Sequence, residues 1–299
     1  MYLKYKSAVF GLKEGKIAVN KKVLRPYFPL FALPTFIAFI IGFIVPFGLG
    51  IYLSFCEFTT VNDAKLVGFK NYSSMFKDPD FIHALWYTAV FAVVSVITIN
   101  IFAFAIAMLL TKGIRGTNIF RTVFFMPNLI GGIVLGYIWQ LILNGILGKF
   151  GATLTFSEAY GFWGMIILMN WQQIGYMMII YIAGIQNVPG ELLEAARIDG
   201  ATNGQVLRKV ILPMVMPSIT ICTFLTLTNS FKLFDQNLAL TNGLPANKSE
   251  LLALNIYNTF YGRVGYEGVG QAKAVMFFLI VGAISITQLI LTHRKEVQQ

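Results

Sequence analysis

Six stretches of the chain carry no charged side chain: residues 26–56, 84–111, 122–148, 159–190, 210–231 and 274–292. Each reaches the roughly 20 residues a helix needs to cross bilayer hydrocarbon. Within them polarity does not alternate, since Ala89 to Val94 and Val275 to Ile280 are apolar throughout. Strands of a membrane barrel would instead be about ten residues long with alternating polarity. One apolar stretch alone could be the core helix of a soluble domain, but six, each bounded by charge, point to membrane spans. The pattern predicts an all-α integral membrane protein with six transmembrane helices near 29–55, 84–110, 122–144, 161–186, 213–233 and 273–292.

Charge gives these spans a direction. Lys4, Lys6, Lys13, Lys16, Lys21, Lys22 and Arg25 precede the first span, so that run does not read as a signal peptide. Lys112, Arg115 and Arg121 lie between spans 2 and 3, Arg197, Arg208 and Lys209 between 4 and 5, and Arg294 and Lys295 after 6. On the other side Lys65, Lys70, Lys77, Lys149, Lys248 and Arg263 are dispersed among acids. The positive-inside rule therefore predicts cytoplasmic N- and C-termini: a segment 1–28, a six-helix domain 29–293 and a tail 294–299.

Composition agrees: the 299 residues are 57% hydrophobic and 12% charged, against about a quarter charged in soluble domains. Basic flanks facing anionic lipid account for the net charge of +10, so no nucleic-acid partner is expected. Cys56 and Cys222 have neither CxxC spacing nor a nearby His, which leaves them as packing residues with no metal site. The external segment 57–83 reads as a loop with a short interfacial helix, and 236–270 as a similar external segment, with a turn signal at Thr241 to Pro245 and an irregular Gly- and Tyr-rich run at Tyr261 to Tyr266. Pro46, Pro127 and Pro217 each remove a backbone donor inside a span and predict bends, which packing and transport explain equally well.

The segment from Glu191 to Pro213 differs from everything around it. Leu192, Leu193, Ala196 and Ile198 can share one helix face with charges opposite, Gly200 offers a turn, and a second basic helix leads to Pro213. An amphipathic helix in the headgroup layer and a protein-docking knob both fit this pattern. Glu194-Ala195-Ala196, Gly200 and Leu212-Pro213, with Val210 where Ile is usual, resemble the EAA loop of binding-protein-dependent ABC importer permeases. Phe120-Arg121, Phe125-Met126-Pro127, Tyr137-Ile138-Trp139 and Phe234-Asp235 are similar to the carbohydrate branch of that family, the maltose and multiple-sugar (MalF-type) permeases. The extra helices and large external domain of the maltose permease are lacking.

That resemblance implies an EAA-type coupling loop between helices 4 and 5, with Glu194, Ala195, Ala196, Asp199, Gly200, Leu212 and Pro213 seated in a cytosolic ATPase. It implies a second permease subunit, an ABC ATPase dimer, an extracytoplasmic solute-binding protein and a sugar substrate, all at a bacterial cell membrane. The chain contains no G-x-x-x-x-G-K-[ST] phosphate loop. It is therefore expected to be no enzyme and to bind no cofactor, with ATP and Mg used by the partner ATPase. By the same resemblance Asn128, Gly132, Asn170, Gln173, Tyr176 and Asn229 fall at substrate-pathway positions. Intramembrane amides also serve as interhelical glue, and that reading stays open for span 4. Lys232 and Asp235 are expected to pair. Spans alone would also permit an ion-coupled secondary transporter or channel, although no intramembrane charge relay or inverted repeat is evident.

Overall fold

The computed structural model describes residues 28–293. The expectations for the basic N-terminal segment and the tail lie outside the described residues, except for Phe28. The chain divides between Tyr52 and Leu53 into two units. In the first, α1 runs over Phe28–Phe39, a π turn at Ile40–Ile44 and Val45–Leu53. The π turn immediately precedes Pro46, whose ring cannot share space with the preceding turn's carbonyl; Val45 N–H instead reaches back five residues to the Ile40 carbonyl. Phe39, Phe43 and Phe47 stack along this helix at centroid separations of 5.2 and 5.8 Å.

The second unit opens with a hairpin that hydropathy did not predict, β1 (Cys56–Glu57) antiparallel to β2 (Lys65–Leu66). Asp63 Oδ1 accepts from the Thr59 and Thr60 backbone amides and closes its turn. The expected short helix is α2 (Lys70–Lys77). Its buried Asn71 donates to the Ser54 and Cys56 carbonyls at 3.0 and 2.8 Å, joining helix to hairpin.

Helix α3 (Pro79–Leu110) starts where Asp78 caps the Asp80 amide and Pro79 occupies the first turn. Its buried positions include Ala84, Thr88, Ala92, Ser95, Ile99, Ala103 and Ala107, a stripe at three- and four-residue spacing that is mostly small. Small residues let two helix backbones approach closely in a membrane, where expulsion from water supplies little drive. The neighbour is α6 (Glu158–Gln186), the most enclosed span: 56% of its most apolar window is buried, against 28% for α3 and 6% for the last helix, α12 (Glu267–His293).

Between them the predicted third span, 122–144, is broken. Helix α4 (Thr117–Phe125) passes through a 3-10 turn at Met126–Leu129 and extended Ile130 and Gly131 before α5 (Gly132–Leu147) begins. Pro127 sits in the 3-10 turn, and the preceding backbone presses on α6. A Cβ placed on Gly175 would lie 1.8 Å from the Phe124 carbonyl oxygen, so only glycine fits there.

After α6 come α7 (Gly190–Ile198) and α8 (Asn203–Met214, with a π turn at Leu207–Ile211). A 70° bend at Val215 leads into α9 (Met216–Phe231). The expected fifth span, 213–233, thus begins inside a bend flanked by Pro213 and Pro217. Two helices occupy much of the second external segment, α10 (Asp235–Leu240) and α11 (Leu252–Gly262). Among the described residues, five helices are long and apolar enough to cross a membrane, and six if the bent pair counts as one.

Candidate functional site

The knob between α6 and α9 is built by a helix stop and a helix start four residues apart. Helix α7 ends as Ala201 N–H returns to the Ala196 carbonyl at 3.0 Å and Gly200 N–H to Arg197 at 3.0 Å, with Gly200 at φ +76°. This is the left-handed closure that favours glycine. Helix α8 starts with a reciprocal cap: Thr202 N–H donates to Gln205 Oε1 at 2.8 Å, and Gln205 N–H to Thr202 Oγ1 at 3.4 Å. Leu193, Val210, Ile211 and Met214 pack against the main core, so the knob is tied to the spans.

Its outward residues are Glu191, Glu194, Ala195, Arg197, Asp199 and Gly200. Contrary to the single apolar face expected, Leu192 and Ile198 also point outward, with Ile198 81% exposed; Leu193 and Ala196 alone turn in. Ala196 is three positions on from Leu193 and so within about 60° of it, whereas Ile198 lies about 500° round the helix, on the far side, at 100° per residue. Leu212 and Pro213 are half-buried at the base. A cleft of about 330 Å³ lies against Ala196, Asp199, Gln205 and Lys209.

Polar side chains also gather where α6 meets α9 and α10. Gln172 is buried: Gln236 Nε2 donates to its Oε1 at 2.8 Å, and its own Nε2 reaches the Ile130 carbonyl, freed by the α4–α5 break, at 3.4 Å. Next to it Asn229 Nδ2 donates to Gln173 Oε1 at 3.4 Å. Gly132 abuts Asp235 and Gln236 so closely that a Cβ would meet Asp235 Cβ at 2.7 Å. The Tyr176 ring lies 6.4 Å from that of Phe125, and Asn128 is half-buried in the 3-10 turn. The structure thus joins Gln173 to Asn229 and sets Gly132 on α10. Asn170 is engaged elsewhere, donating to Thr98 of α3 at 3.0 Å.

Sequence reasoning missed Gln236 because it lies beyond the predicted span 5, in an external segment whose local pattern does not point at α6. Lys232 and Asp235 form no ion pair among the described residues, because the chain turns between α9 and α10; both are exposed.

A third polar group lies where α3 begins. Lys273 is completely buried, donating to Asp78 Oδ2 at 2.7 Å, Asn255 Oδ1 at 2.9 Å and Thr259 Oγ1 at 2.7 Å. Arg263 approaches Asp78 and Asp80 at 3.8 and 3.3 Å. Burial alone would raise the Asp78 carboxyl, but the bond to Lys273 and its charge outweigh that and hold it below its ordinary value. Glu250, accepting from Asn255 and Asn258, is pushed up by burial.

Long apolar helices, with polar residues gathered between them and on one projecting knob, define a multi-pass membrane protein. The family model for the binding-protein-dependent transport system inner membrane component matches residues 103–297, and the chain belongs to that family. It is 43% identical to the probable starch degradation products transport system permease protein AmyD of Thermoanaerobacterium thermosulfurigenes, over 90% of this chain and 94% of that one. It is 31% identical to the multiple sugar-binding transport system permease protein MsmF of Streptococcus mutans, over 93% and 99%. The fold matches a crystallised bacterial ABC transporter involved in the import of the acidic polysaccharide alginate, with TM-score 0.77 and 19% identity over 91% of this chain and 98% of that one.

Proposed function

We propose that this chain is one of two permease subunits of an ATP-driven importer that moves a sugar, preferably an oligosaccharide, into the cytoplasm. The observation that carries the mechanism is the knob: a rigid, exposed turn whose inner face is packed on the spans. Nucleotide-driven motion of a separate ATPase can bias the spans only through contacts that differ between two states, and such a knob supplies them. In this reading α7 and α8 are cytoplasmic, both termini lie on that side, and Glu194, Ala195, Ala196, Asp199 and Gly200 meet the ATPase. This chain binds no cofactor and has no ATPase site, the partner using ATP and Mg.

The sugar assignment is supported by the relatives, whose names specify starch degradation products and multiple sugars. Amides along the seam suit hydroxyl groups, so Gln173, Asn229, Tyr176, Asn128 and Gly132 are assigned to the pathway, with Asn170 behind them on the α3 side. Purification of the tagged chain from its native membrane tests this directly. Co-purification of an ATPase, a second permease and a solute-binding protein is expected. A stable complex without an ATPase would overturn the reading.

A further inference from the structure

A cavity of about 460 Å³ opens between the first turns of α3 and α6, lined among others by His83, Trp86, Tyr87, Glu158, Phe162 and Trp163. It lies on the α3 side of α6, away from the Gln172–Gln236 and Gln173–Asn229 pairs. Tyr87 holds the two helices together, its hydroxyl directed at the Glu158 carbonyl and its ring edge-on to Phe162 at 5.6 Å. His83 stacks on Tyr87 at 5.7 Å and places Nε2 2.9 Å from the Lys248 carbonyl. The Glu158 carboxylate faces His83 Nε2 at 3.7 Å, beyond hydrogen-bond reach, and has no closer cation among the described residues. Trp86 and Trp163 are 71% and 53% exposed.

The level of the cavity follows from helix length. Glu158 begins a 29-residue helix whose other end leads into the knob. At 1.5 Å per residue that is about 43 Å, the thickness of a bilayer with its headgroups. Glu158 therefore lies at headgroup depth in the leaflet opposite the knob, and two tryptophans beside it are where interfacial aromatics belong. Below the cavity two exposed stripes run inward at helical spacing, Trp86, Val90, Val93, Ile97 and Ile101 on α3 and Trp163, Ile167 and Trp171 on α6.

We propose that this cavity is a specific site for an amine-bearing phospholipid, phosphatidylethanolamine being the simplest. Its ammonium sits against the tryptophan faces and the Glu158 carboxylate, and its acyl chains follow the two stripes. Aromatic faces with one carboxylate attract a cation, and the apolar tracks beneath exclude a free amine or a sugar as the fitting occupant. The site is independent of the substrate and the ATPase partner.

The test is native mass spectrometry of the whole delipidated transporter, titrated with phosphatidylethanolamine and with phosphatidylglycerol of the same acyl chains. The wild type should prefer the amine lipid by about tenfold, E158Q should abolish most of that preference, and W86A should weaken it where W86F retains it. Equal affinity for the two lipids in the wild type, or a preference unchanged in E158Q and W86A, would overturn the proposal. A headgroup-photoreactive phosphatidylethanolamine on the unmutated complex gives an answer even if a variant fails to assemble. Labelling of peptides containing Trp86 or Trp163 supports the site, whereas labelling confined elsewhere sinks it.

Discussion

Lys273 shows how much one residue can hold. A lysine with no exposure would be strongly destabilising unless paired and fully hydrogen-bonded, and here all three donors have acceptors, one at the start of α3 and two on α11. Lys273→Met strands the Asp78 carboxylate and should cost about 3 kcal/mol, read as a lower thermal unfolding temperature of the purified complex. The double variant with Asp78→Asn should recover part of that loss; additive losses would show the pair to be uncoupled. Nothing in the hydropathy pattern marked this group, because Lys273 merely bordered the last charge-free run. Two of its partners, Asn255 and Thr259, are brought in by the folding of α11, which the hydropathy pattern does not position.

The two nearby carboxyls titrate in opposite senses. Asp78, held below its ordinary 3.8, stabilises the fold above that value, and the stabilisation is lost as pH falls through the lowered one. Glu250, raised above 4.5, binds its proton more tightly folded than unfolded, so stability declines as pH rises from 4.5 through the raised value. E250Q should remove that second decline in unfolding temperature measured against pH. An unchanged slope would contradict it.

At the scale of elements, close approach explains what periodicity could not. The span expected at 122–144 breaks at Pro127, as the missing donor there predicts, but the contact of the Phe124 backbone with Gly175 of α6 is a relation between residues 51 apart that no local pattern reveals. Gly175→Ala should destabilise by about 3 kcal/mol, while Gly145→Ala on α5, where a Cβ meets nothing within 4 Å, should be neutral in the same unfolding assay.

The knob, by contrast, was legible, since charge, an amphipathic run and a glycine at the turn are local signals. Its facing was half legible: Leu193 and Ala196 turn in, but Ile198 does not. Gly200 has open space around it and a positive φ, so Gly200→Asp carries only about 1 kcal/mol of backbone strain. The variant should insert normally into the membrane yet abolish transport, as measured by membrane fractionation and uptake in parallel. Normal uptake would remove the knob from the coupling mechanism.

For the whole molecule, the charge-free runs coincide with long apolar helices, five or six among the described residues, because bilayer thickness constrains length and polarity together. The relation among the residues proposed for the pathway was only partly readable: helical register put amides on α6, but whether an amide faces α3 or α9 depends on packing. Gln173 meets Asn229, Gln172 meets Gln236, and Asn170 meets Thr98. Family membership places the chain in a transport system whose other components lie outside it, and nothing supports the ion-coupled alternative.

The most direct measurement is uptake of the labelled sugar retained by the co-purifying solute-binding protein into proteoliposomes holding the purified transporter, with that binding protein outside and ATP inside. The account predicts accumulation that requires both and that Gly200→Asp eliminates. Uptake driven by an ion gradient in the absence of ATP would contradict it.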